Sequence, residues 1–127
     1  MNTRKLLALL LSCLAITLLS GFAQDAHADF LYRDYKALLQ RFGDKTGPID
    51  MHVVGLGEGI LSLHYHTISR GGAPTFCVPP KLGLGLANFR DMIETGAQQL
   101  GPGQADQFPL GILLLGGLQA TFPCEKQ

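Results

Sequence analysis

A small all-α bundle of about four helices, closed by one disulfide, is the fold this sequence predicts. Three observations carry that prediction. Four stretches place apolar residues at helical spacing, and none shows sustained strand alternation. The chain opens with a segment of export-signal type. Two cysteines follow it, each beside proline in a phenylalanine-bearing cluster: Phe76-Cys77-Val78-Pro79-Pro80 and Phe122-Pro123-Cys124. In an oxidising compartment, two cysteines allow a single intramolecular pairing.

At the N-terminus, Arg4 and Lys5 precede an apolar run from Leu6 to Leu19, and Gly21, Ala23, Ala26 and Ala28 come next. These are the charged, apolar and cleavage regions of a secretory signal peptide over residues 1–28. Ala26-His27-Ala28 fits cleavage after Ala28, with Ala23 as the alternative. The run is about 14 residues, short for a membrane span, so no membrane association is expected after cleavage. Cys13 lies inside it. Leu10-Leu11-Ser12-Cys13 loosely matches a lipoprotein box, but the run stays apolar to Leu19 where a lipoprotein turns polar. The expected product is one exported helical domain, residues 29–127.

Leu31, Tyr35, Leu38 and Phe42 define the first helix, with Asp29 as its N-cap and Gly43 near its end. Ile49, Val53, Leu56, Ile60, Leu63 and Thr67 define the second, between Pro48 and Gly71-Gly72. Leu86, Phe89, Ile93 and Leu100 define the third, which Gly96 weakens. The last runs from Phe108 to Phe122, with Asp106 as its cap and Pro109 in its first turn. It is apolar nearly all round, which places it at the centre of the bundle. Gly111, Gly116 and Gly117 mark where a neighbouring helix comes close. A Cys77–Cys124 bridge closes a loop of about 47 residues, worth about 4 kcal/mol on the chain-entropy model.

From Asp29 onward, eight Lys and Arg face nine Asp and Glu, which gives no footprint for nucleic acid or an anionic membrane. Gly55-Leu56-Gly57-Glu58-Gly59 lacks the preceding strand and the Gly-Lys-Ser/Thr of a phosphate loop, and reads as a helix surface packed on a neighbour. His64 and His66 are two apart and point to different sides of a helix, and His52 is out of register with both. No metal and no cofactor are therefore expected. Glu58 with His64 or His66 would make an acid–base pair, but Ser62 and Ser69 sit in no nucleophile motif and the thiols are paired. No catalytic residue is assigned, and a binding protein is expected rather than an enzyme.

The order of motifs resembles the Rap/Tai family of small exported immunity proteins of type VI secretion systems. Gly55 and Glu58 stand at that family's Gly-Val-x-Asp-like helix, and Cys77 and Pro79 at its Cys-x-Pro segment. Leu118, Phe122, Pro123 and Cys124 stand at its closing Ala-Leu-x-x-Ala-Phe-Pro-Cys. The resemblance runs from about His52 to Cys124. It implies an all-helical periplasmic protein, often a homodimer, that blocks the cleft of a peptidoglycan amidase effector. Members carry a His-Pro element before the last helix, where this chain has Gly101-Pro102-Gly103-Gln104-Ala105-Asp106. Partner contacts are expected there, at Gln104, Asp106 and Gln107, because loops carry recognition. The alternatives are a periplasmic acid-stress chaperone resembling the HdeA type and an envelope structural module. With 16% charged residues and no lysine-rich tail, the chain departs from the charge-rich chaperones.

Overall fold

The computed structural model describes residues 30–43 and 47–125. The expected signal peptide, Cys13, both cleavage positions and Asp29 lie outside the described residues. Among the described residues, four helices carry the fold: α1 (Tyr32–Phe42), α2 (Gly47–Ser69), α3 (Leu86–Gln99) and α4 (Leu110–Thr121). A 3-10 turn, Ala105–Gln107, lies between α3 and α4, and no strand is present among the described residues. One isolated antiparallel bridge pairs Leu31 with Pro109. Through it Tyr32 N–H donates to Phe108 O and Leu110 N–H to Phe30 O, both at 3.0 Å. The start of α1 is thereby fastened to the start of α4.

The α3–α4 pair is the tightest contact, and two glycines set it. A Cβ on Gly96 would lie 2.0 Å from the carbonyl oxygen of Leu113, and one on Gly117 would lie 1.9 Å from that of Met92. Gly96 lies one turn after Met92, and Gly117 one turn after Leu113, so each helix notches the other in an antiparallel crossing. Gly96 does cost helix propensity, but it supplies the close approach. At Gly57 of α2 a Cβ would meet the Phe89 ring of α3 at 2.5 Å, whereas Gly55 and Gly59 have nothing within 4 Å. Of the three glycines in this segment, only Gly57 packs closely on a neighbour as the sequence suggested, with Leu56 beside it partly buried against the core.

Tyr35, Val53, Phe76, Phe89, Ile93, Leu110, Leu113, Leu114 and Leu118 are the fully buried side chains. They come from all four helices and from the segment after α2, so the core is shared. Arg90 of α3 pairs with Asp50 of α2 across the edge of this core.

Three local expectations need correcting. Leu63 is 67% exposed and His64 takes the inward position at 8%. The buried line of α2 runs Ile49, Val53, Gly57 and His64, because Gly57 admits the Phe89 ring and rotates the inner face toward it. Asp106 does not cap α4; it sits in the 3-10 turn, while Pro109 occupies the N-cap position with extended backbone. Finally, α4 is not covered on every side, since Ile112 is 54% exposed.

Candidate functional site

The Cys77–Cys124 disulfide is formed, with an S–S distance of 2.05 Å. Beside it Cys77 N–H donates to Phe122 O at 2.8 Å. Phe76, next in chain, is fully buried, and its ring stacks on His64 with centroids 3.9 Å apart. The His64 Nδ1 lies 3.4 Å from Thr75 Oγ1. The segment after α2 is thus held by an aromatic anchor, a backbone hydrogen bond and a covalent bond.

This arrangement brings together Cys77, Phe122 and Cys124, with Leu118 buried one turn before Phe122. Pro79 and Pro123 are exposed close to the bridge in sequence. Gly55 and Glu58 are exposed on α2, and a Cβ on Gly55 would meet nothing within 4 Å. Of the other histidines, His66 is exposed and His52 lies edge-on to Phe30 at 5.1 Å. No group of three metal-ligating side chains occurs among the described residues. Ser69 Oγ donates to His66 O, a helix-end contact.

Of the three expected contact residues, Asp106 lines a polar cleft of about 340 Å³ between α1, the end of α3 and the connection to α4, while Gln104 and Gln107 are exposed beside it in sequence and do not line it. Gly101 and Gly103 have φ of 82° and 76°, a conformation that side-chain-bearing residues rarely take, and they turn the chain sharply around Pro102. Ala105 is buried and anchors the 3-10 turn. Asp106 Oδ1 accepts a salt bridge from Lys36 Nζ at 2.6 Å, and Gln107 Oε1 lies 3.5 Å from Arg33 Nη1. The Lys36 ammonium also sits 4.7 Å over the Tyr32 ring. Tyr32 donates its hydroxyl to Glu94 Oε2 at 2.5 Å. Burial, then that hydrogen bond and the charge of Glu94, hold the Tyr32 phenol well above its ordinary value.

Sequence reasoning missed Tyr32, Lys36, Glu94 and Gln98 in this cleft. Tyr32 and Lys36 belong to α1, far from the connection in sequence, and a Lys36–Asp106 pair leaves no local pattern. Glu94 and Gln98 lie in the last turns of α3 just before the connection, on a helix read only for its apolar stripe.

A second surface runs along α2. Phe30, Leu38, Pro48, Ile49 and His52 line one depression, which continues over Phe30 and His52 to Leu56 and Ile112. A third depression, of about 200 Å³, lies further along at Ile60, Leu63, Phe76 and Leu115. No Asp, Glu, Lys or Arg lines any of the three. The described residues therefore present a polar, ion-paired cleft and, along α2, an uncharged groove with a separate uncharged depression beyond it. The chain matches no protein-family model, no curated protein and no solved structure.

Proposed function

We propose that the chain is a periplasmic immunity protein of Rap/Tai type, which binds a type VI secretion amidase effector and blocks its cleft. One observation carries the reading: the disulfide joins the Cys-x-Pro segment to the closing Phe-Pro-Cys segment, so two of the resembling motifs form one spatial unit. The Gly101–Gln107 connection supports it, because Ala105 and the Lys36–Asp106 pair hold that segment in place before any partner arrives. A preformed surface avoids the ordering cost that weakens binding by flexible segments.

The test is inhibition of the cell's own secreted amidases by the mature protein at neutral pH. Stoichiometric inhibition supports the reading, and none of those amidases being bound or inhibited overturns it.

The uncharged groove along α2 favours a second reading, an HdeA-like chaperone holding apolar client segments. That role predicts client protection that rises in acid, when carboxylates take up protons and the fold loosens.

A further inference from the structure

The polar cleft carries its own chemical signature, distinct from that of the groove. Its ionised groups are Glu94 and Asp106 against Lys36, one negative charge in excess. It also lies at the C-terminal end of α3, where the helix dipole adds partial negative charge. Burial first, then the Glu94 hydrogen bond and the charges of Glu94 and Asp106, raise the proton affinity of the Tyr32 phenol beside it. The cleft already holds a cation from its own chain. The Lys36 ammonium rests between Asp106 and the Tyr32 ring, on a side chain 42% exposed.

We propose that this cleft receives a basic side chain of a protein partner, arginine above all, between Glu94, Gln98 and the Gly101–Gly103 backbone. The inference rests on the reading that the connection lies at a partner contact, and it names the chemistry of that contact. Tyr32 takes one acceptor position of the Glu94 carboxylate, and a carboxylate offers several. Gln98 lines the same cleft, and its amide oxygen with the Glu94 carboxylate would offer a planar guanidinium two acceptors for its fork of donors. An acidic or purely apolar side chain gains neither contact. Lys36 is the resident cation, already paired with Asp106, and it competes with an incoming arginine for the negative charge of the cleft.

The experiment is a titration of isotope-labelled mature protein with N-acetyl-arginine methylamide at neutral pH and low salt, read by amide chemical shifts. The expected result is saturable shifts at Glu94, Gln98, Gly101 and Gly103, absent with the norvaline and glutamate analogues. Glu94→Gln keeps an oxygen for the Tyr32 hydroxyl but loses the charge, and should weaken binding about tenfold. Lys36→Met removes the competing ammonium and should strengthen it. Absence of saturable shifts in both the wild type and Lys36→Met overturns the proposal. So do equal shifts with norvaline, or unchanged affinity in a folded Glu94→Gln. Amidase inhibition is scored separately. Inhibition without arginine binding sinks this inference alone, and arginine binding without inhibition sinks the immunity reading alone.

Discussion

Tyr32 and Tyr35 stack at 6.2 Å, and burial is the leading cause that holds both phenols above their ordinary value. An unfolded chain releases such protons from about pH 10, while the folded chain keeps them. The unfolded state then binds fewer protons, so this contribution to stability is complete below about pH 10 and is lost as pH rises through the folded values. Urea midpoints at about pH 9 and about pH 11 should show the loss, and Tyr32→Phe should make it shallower. An equal alkaline drop in that variant would remove Tyr32 from the account. His64 shows what residue-level reading reached. Spacing correctly separated it from His66, yet apolarity favoured Leu63 as the inward residue. The deciding contact, the Phe76 ring, comes from a segment twelve residues on and has no signature within the helix.

At the scale of elements, four helical stretches were legible because each carries its own apolar stripe. Their boundaries at the connection were not, since the 3-10 turn depends on burying Ala105 and on the Lys36–Asp106 pair. The glycines sort by what they touch rather than by where they stand. Gly96→Ala and Gly117→Ala each drive a methyl into a carbonyl of the facing helix, and should each cost about 3 kcal/mol or more. Gly55→Ala and Gly59→Ala meet open space within a helix and should each stabilise by roughly 0.5–1 kcal/mol. Chemical denaturation of the four variants checks both signs together. A neutral Gly96→Ala would mean that α3 and α4 stand further apart than described.

For the whole molecule, the bridge was legible by elimination, as only two cysteines follow the expected export segment. Replacing both Cys77 and Cys124 by serine should weaken folding by about 2–5 kcal/mol. An unchanged urea midpoint and slope would show that the shared core suffices. The polar cleft was legible only along its Gly101–Asp106 rim, because its other wall comes from α1 and α3. Substitutions at Gln104 and Gln107, both exposed, should weaken amidase inhibition at neutral pH and leave the unfolding midpoint in place. Retained inhibition would move the contact to the groove along α2.

The two bridged cysteines flank α3, the turn and α4, and enclose nothing else of the helical fold. Before any helix forms, the oxidised chain already holds the ends of its tightest helix pair together. Its search for that pairing starts within a closed ring, where bringing the ends together carries no further entropy loss. Oxidised protein should therefore refold faster than the serine variant, with α3 and α4 meeting first and α1 and α2 closing over them. Stopped-flow refolding would read this as a change in folding rate larger than the change in unfolding rate.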